Sequence, residues 1–507
     1  MKKKQSSEQQ KIGSFIRTLR ESRGITQGAF AQALGTSQSA VARMEKGEQN
    51  FTTGALEKIS KILDHKVVAI NSSIDFEIRG GRKLSGTIRT NYSKNGSVGL
   101  LCAALLNRGK TILHGIARIE EVYRVIEILE SIGTTIKWIE KNTVEITPPK
   151  KPNLKKLDAE AAIKTRSILM TIGPLIHLLP SLSIPHAQGC HLGKRTIAAH
   201  QYGLEELGIK IEVTQHNYLI TAPRKIANTV IMYEAGDTAA ENVLMAAAKI
   251  PGTTTIQFTS ANYMVQEMCF FLEKCGVQID GIGTSTLIVH GVADINTTIE
   301  YHNSEDPIES MTFIAAAIAT DSTLTISHVP IDFLTLELYK LGKMGLKYKI
   351  GKQYTSANGR TNLTNVTIYP SKLVALDDKI HSNPYPGVNM DNLPYFVIPA
   401  IKAKGQTLIH DWVYENRAIY LTELNRLGAH ITLADPHRLY IDGGTPLKAA
   451  QIVCPPALRP SVVIMIAMLA APGTSILRNV YMINRGFENI TERLNEVGAD
   501  ITVLTER

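Results

Sequence analysis

The stretch "LESIGTTI" (Leu129–Ile136) reads as the end of a helix, a glycine stop and the start of a strand. The pattern returns as LEELGIKI from Leu204, LEKCGVQI from Leu272, LGKMGLKY from Leu341, LNRLGAHI from Leu424 and LNEVGADI from Leu494. Its glycines (133, 208, 276, 345, 428 and 498) recur roughly every 70 residues. Glycine ends a helix in the left-handed conformation without the steric cost of a Cβ. A second mark keeps the same period: a strand opened by Gly or Asp, as in GKTIL (Gly109), GTTTI (Gly252), DSTLTI (Asp321), GQTLI (Gly405) and GTSIL (Gly473). Together they predict six copies of one α/β unit. Units of this length exceed the usual solenoid repeats, so two globular domains of three units each are expected.

The remaining composition agrees with a globular chain. Of 507 residues, 44% are hydrophobic and 20% charged, and no apolar run approaches the length of a membrane span. The start, MKKKQSSEQQ, has lysines but no apolar stretch of a signal peptide, so a cytoplasmic location is expected. Five scattered cysteines show neither disulfide pairing nor zinc-finger spacing. Cys102, Cys269, Cys275 and Cys454 sit in apolar text and read as core. Cys190 sits in IPHAQGCHLGKRTIAAH, with His191, Lys194 and Arg195 close by, and reads as a reactive thiol in an anion-binding loop.

Charge is uneven. The net charge is +9, and residues 1–66 carry twelve Lys/Arg against six Asp/Glu. A basic end of this kind suits a polyanion. Here Phe15, Ile16 and Leu19 precede Gly24. Thr26 can cap a helix bearing Phe30, Ala31 and Leu34 up to Gly35. Ser37 opens a helix with Val41 and Met44 that closes at Gly47, and Leu56, Ile59 and Leu63 mark a fourth. Short helices around Gly-containing turns form a helix-turn-helix pattern. TQGAFAQALGTSQSAVARMEKG closely resembles the Cro/repressor (XRE-type) family. By that resemblance Gln38, Ser39 and Arg43 face base edges and Gln27 faces a phosphate. A specific operator on DNA would then call for a homodimer. The competing reading is a helical oligomerisation module.

From about residue 72 the longer motifs resemble the enolpyruvyl transferase family. They are SKNGSVGLLCAALL from Ser93, IKTRSILMTIGPL around Arg166, GCHLGKR around Cys190, DPIESMTFIAAAIA from Asp306, VYENRAIYLTELNRLGAHI around Arg417, and NRGFENITERLNEVGADI. The resemblance implies an α/β fold of six repeated units in two domains, an inside-out α/β barrel, behind a small all-α helix-turn-helix domain. It divides the chain into a helix-turn-helix domain at 8–66, a linker at 67–73, a discontinuous lobe of 74–93 and 303–507, and a lobe of 94–302 that carries the Cys190 loop.

The family moves an enolpyruvyl group from phosphoenolpyruvate to an acceptor hydroxyl and releases phosphate. The resemblance implies the 3-hydroxyl of UDP-N-acetylglucosamine, or a related nucleotide or sugar, as acceptor. That is the first committed step of peptidoglycan precursor synthesis. No cofactor and no metal is implied. Lys94, Arg195 and Arg417 would converge on phosphoenolpyruvate, with Arg166 nearby, because an arginine fork pairs bidentately with phosphate or carboxylate. Cys190 would protonate the methylene carbon and be open to alkylation by an epoxide such as fosfomycin. Asp306 would take the proton from the attacking hydroxyl, although helix capping alone also accounts for it. Asn95 would orient the hydroxyl. Asp391 resembles a second family aspartate, and Glu309 reads either as a contact or as a helix-surface charge.

The pattern breaks after Arg195, where the family continues Pro-Val-Asp-x-His and this chain has TIAAH, with Ala198 in place of the aspartate. HAQGC and AGDTAAEN (235–242) depart as well. The phosphoenolpyruvate half is intact and the nucleotide half is altered. Two readings therefore stand: an active transferase with a DNA-binding appendage, or a transcriptional regulator whose transferase domain senses a ligand.

Overall fold

The computed structural model describes residues 5–47, 58–60, 62–63, 74–187 and 196–505. They divide into two compact units, 1–73 with 505–507, and 74–504.

The first unit holds the helices Gln5–Ser22, Gln27–Leu34 and Gln38–Glu45. Thr26 and Ser37 cap the second and third, accepting from the N–H groups of Ala29 and Ala40, and Gly35 ends the second at φ 70°. Eight-residue helices are marginal alone. These are held by a shared core of Ile16, Phe30, Ala31, Val41, Met44, Ile59 and Leu63. The expected Leu56 contact and the linker 67–73 lie outside the described residues.

Among the described residues the second unit contains six sheets, one for each predicted repeat. All six repeat glycines adopt positive φ, between 81° and 105°. Each follows a helical segment and precedes a strand: Thr135–Glu140, Lys210–Val213, Gln278–Asp280, Lys347–Ile350, His430–Asp435 and Ile501–Thr505. In four of the first five sheets that strand pairs antiparallel with the next one in the chain; in the other, Lys347–Ile350 pairs antiparallel with Asn362–Tyr369, past the two-residue strand Tyr354–Thr355. In the sixth, the place beside Ile501–Thr505 is taken by Ile74–Gly80, so the first strand of the unit completes its last repeat.

Helices lie inside the sheets. Pro307–Ala319 is buried along its whole length, and Asp237–Ala248 and Leu458–Ala470 nearly so. A helix apolar all round must be covered on every side, and here helices pack on helices while the sheets close over them. The sheets built from residues 111–302 surround Lys94–Ala103, Asp237–Ala248 and Tyr263–Lys274. Those built from 74–89 and 323–505 surround Pro307–Ala319, Val397–Lys402 and Leu458–Ala470. We refer to these two groups as lobes. No helix among the described residues is long and apolar enough to cross a membrane.

The repeat glycines differ in their surroundings. A Cβ on Gly208 would meet the Arg224 carbonyl oxygen at 2.1 Å, whereas one on Gly276 would meet nothing within 4 Å. Gly276→Ala should therefore cost only the left-handed backbone term, about 1–2 kcal/mol. Gly208→Ala should cost clearly more, because backbone must also move. Urea unfolding of both variants checks the order; equal losses would contradict it.

Candidate active site

The chain passes from one lobe to the other twice, at 89–94 and at 302–307, and the two crossings are bonded to each other. Asn303 donates from Nδ2 to the carbonyls of Ser93 and Gly115 and to Ser97 Oγ. Ser93 caps Lys94–Ala103 by accepting from the Gly96 N–H. Asp306 caps Pro307–Ala319: Oδ1 accepts from the N–H groups of Ile308 (2.8 Å) and Glu309 (3.4 Å). Its Oδ2 accepts from the Lys94 N–H at 3.2 Å. One carboxylate thus serves the N-termini of two helices, where negative charge is favoured. Burial pushes its carboxyl up, against the opposing charge of Arg459.

Glu121 forms the second focus. It lies in the first turn of Glu120–Ser131, and its Oε1 accepts from Thr165 Oγ1 and from Ser167 Oγ (2.9 Å). Its Oε2 accepts from Arg485 Nη2 of the other lobe. Burial would raise this carboxyl, but the charges of Lys94 and Arg485 and the hydrogen bonds outweigh it and bring it down to about 2. Glu121 thus meets Arg485 from the opposite lobe and lies within the field of Lys94. Arg166, between Thr165 and Ser167, donates from Nη2 to the carbonyl of Thr196, where the described chain resumes after 188–195. Cys190 and Arg195, expected at the centre of the chemistry, lie outside the described residues.

Arg417 is placed differently from expectation. Its guanidinium is buried and grips Asp411 bidentately, Nε to Oδ2 at 2.6 Å and Nη2 to Oδ1 at 2.8 Å, and Nη2 also donates to the Met390 carbonyl. Tyr414 stacks over it at 4.3 Å. Its fork is thus engaged within its own lobe, and it approaches Asp391 only at 3.7 Å through Nη1. Asp391 Oδ2 accepts from Arg459 Nη2 at 3.0 Å. Burial opposes ionisation of Asp391, but Arg459 and Arg417 prevail and hold its carboxyl below the usual range. Its side chain is 25% exposed, against 7% for Asp306 as a whole.

Glu309 is paired with Arg493 (2.6 Å) and also accepts from the Asn91 N–H. Both oxygens are thus held inside the lobe. Asn95 donates to Tyr263 Oη at 2.9 Å, and Tyr263 lies within the electrostatic reach of Asp306, Asp391 and Arg459. In the altered AGDTAAEN segment, half-buried Asp237 accepts from Ser260 Oγ and Asn262 Nδ2. Asn262 in turn accepts from Asn389, two residues before Asp391. Cys102, Cys269, Cys275 and Cys454 are buried free thiols, and burial pushes Cys454 up to about 11.

Residues 78–494 match the family described as EPSP synthase (3-phosphoshikimate 1-carboxyvinyltransferase). The chain belongs to this enolpyruvyl transferase family. It is 33% identical over 429 residues to a UDP-N-acetylglucosamine 1-carboxyvinyltransferase of Treponema denticola, covering 84% of this chain and 98% of that one. It is 30% identical to the Bradyrhizobium diazoefficiens protein of the same name, covering 86% and 99%. Among solved structures, the enolpyruvyl transferase NikO from Streptomyces tendae superposes with a TM-score of 0.74 at 24% identity, covering 86% of this chain and all of that one. EPSP synthase from Acinetobacter baumannii gives 0.65 at 18%, covering 85% and 100%. Both show the shared enolpyruvyl transferase fold. Residues 16–66 match a helix-turn-helix family.

In that N-terminal unit Gln38, Ser39 and Arg43 are exposed on Gln38–Glu45. Gln27 is less free than expected, since its Nε2 donates to Glu45 Oε2 at 2.8 Å. Glu45 also receives the buried Arg20 guanidinium, so the start of Gln27–Leu34 is fixed against the end of the next helix.

Glu121 ionises at about 2 when folded against an ordinary value of 4.5. A depressed carboxyl contributes stability that is complete above the unfolded value and is lost as pH falls through the folded one. Glu121→Gln should cost about 3 kcal/mol at neutral pH. The gap from wild type should stay constant above pH 5 and narrow toward pH 2. Urea midpoints across that range test this; a pH-independent gap would contradict it.

Proposed function

We propose that the chain transfers the enolpyruvyl group of phosphoenolpyruvate to the hydroxyl of a nucleotide-sugar acceptor, UDP-N-acetylglucosamine or a relative, and releases phosphate. In a cell-wall-building organism that is the committed step of peptidoglycan precursor synthesis. The observation that carries the reading is the ion pair of Arg485 from one lobe with Glu121 of the other, within the field of Lys94, in a chain of this family. Two cations sharing a buried counter-ion suit a small dianion, and Arg166 and Arg195 would complete the cradle. Arg485 takes the role first expected of Arg417, whose fork is filled by Asp411.

Addition requires the acceptor oxygen to bond to the substituted carbon while a proton reaches the methylene carbon and the hydroxyl proton leaves. Cys190 is the proposed donor. Asp391 is the proposed proton acceptor, in preference to Asp306. Three N–H groups already occupy Asp306, whereas Asp391 is more exposed and, among the described residues, its Oδ1 meets Arg417 Nη1 in a long ion pair. Asn95 would hold the hydroxyl. Loss of phosphate and of one methyl proton then restores the enol ether. On the acceptor side, Ala198 replaces the family carboxylate. One turn later Tyr202 meets Tyr233 edge-on at 5.2 Å, both well exposed. An aromatic surface beside the altered loop favours an acceptor that differs from the family's usual one.

Phosphate release with phosphoenolpyruvate and a panel of nucleotide sugars tests the proposal. At least one acceptor should give turnover, falling about 100-fold or more in Cys190→Ser and Asp391→Asn. Asp306→Asn should lose stability more than turnover. No phosphate from any acceptor would overturn the enzyme in favour of a ligand sensor.

The fused helix-turn-helix supports a second role, DNA binding through Gln38, Ser39 and Arg43 of paired copies, with Gln27 beside a phosphate. Closure on substrate would change the spacing of the pair. Gel-shift affinity should then differ with and without phosphoenolpyruvate plus acceptor; an unchanged affinity would remove the coupling.

A further inference from the structure

The sheet of the first repeat brings His114 beside Glu300 and His302, which lie far from it in sequence. Strands Thr111–His114 and Ile299–His302 run parallel, with Ile112 opposite Glu300 and His114 opposite His302. Strand alternation puts Glu300 and His302 on one face, while Ile299, Tyr301 and Leu113 are buried on the other. The two imidazoles stack at 4.2 Å with 10° between their planes. One ligand atom from each of His114, Glu300 and His302 lies within 4.8 Å of the others.

The hydrogen bonds around His114 fix which nitrogen is available. Thr143 donates its only hydroxyl proton to Glu140 Oε2 at 3.2 Å. Its oxygen, 3.2 Å from His114 Nδ1, can then only accept from that nitrogen. With the proton on Nδ1, the Nε2 lone pair faces Glu300 Oε1 at 2.8 Å. Nitrogen and oxygen at that distance share a proton on an imidazolium or meet across another cation. An imidazole oriented through its far nitrogen by a hydroxyl and a carboxylate is the arrangement that supports metal-bound histidine.

We infer that His114, Glu300 and His302 bind one divalent transition-metal ion of the zinc class. Two imidazoles and a carboxylate suit Zn²⁺, and after it Ni²⁺ or Co²⁺, whereas Mg²⁺ and Ca²⁺ prefer oxygen-only sets. Three protein ligands leave the remaining positions to water, and Glu300, 63% exposed, keeps the site open to solvent. The ion would clamp the two strands just before a crossing. The next residue, Asn303, donates its N–H to the His114 carbonyl and its amide to Gly115 and Ser93. Zinc there would stiffen the ground on which Asp306 and the Lys94 helix stand, without touching substrate.

The test uses the full chain, freed of metal by a chelator, titrated with Zn²⁺ against a chromogenic competitor and melted with and without Zn²⁺. One equivalent should bind and raise Tm. His302→Ala and Glu300→Gln should each weaken binding about tenfold or more and abolish the Tm shift. Co²⁺ should give a d–d spectrum that disappears in His302→Ala. Zinc bound with unchanged affinity and stoichiometry in both variants would place the ion elsewhere, for example on the Cys190 thiol, and overturn the inference. So would absence of binding to the wild type.

Discussion

One buried carboxylate, Glu121, connects the parts of this molecule that have to meet. It receives two hydroxyls from Thr165 and Ser167 and a guanidinium from Arg485 in the opposite lobe, and it feels the charge of Lys94. Removing a carboxylate from water is costly, and that cost is offset only if its partners stay fixed. The three bonded segments are thereby held in one arrangement, with the charge of Lys94 in reach. The crossings of the chain supply the frame: Asn303 binds them to each other, and Asp306 lies between the helix N-termini that start there.

The repeat architecture was legible because it rests on backbone. A left-handed glycine between helix and strand has few substitutes, so six of them in register survive as a written pattern, and the residues on either side take the predicted elements. Caps were legible for the same reason. Thr26, Ser37 and Asp306 each act on an N–H two to three residues away.

Partnerships across the fold were not legible. Arg417 and Arg485 both lie in family-like motifs, and nothing local shows that the first is claimed by a carboxylate, although Asp411 stands only six residues before it. Glu121 sits in an amphipathic helix, where a glutamate reads as surface charge. Arg459 had a signal that went unused: a lone arginine at the head of LRPSVVIMIAMLA, a helix too apolar to leave that charge unpaired. His114 and His302 are 188 positions apart and meet only through parallel strand pairing.

The chain joins an enolpyruvyl transferase domain to a basic N-terminal helix-turn-helix module. The central claim is that Lys94 and Arg485, not Arg417, make the anion site. Calorimetric titration of phosphoenolpyruvate into wild type, Arg485→Ala and Arg417→Lys tests it most directly. The account predicts at least about a tenfold loss of affinity in Arg485→Ala, from removal of a charge-assisted contact. Arg417→Lys should lose mainly stability. Undiminished binding in Arg485→Ala, with loss confined to Arg417→Lys, would contradict it.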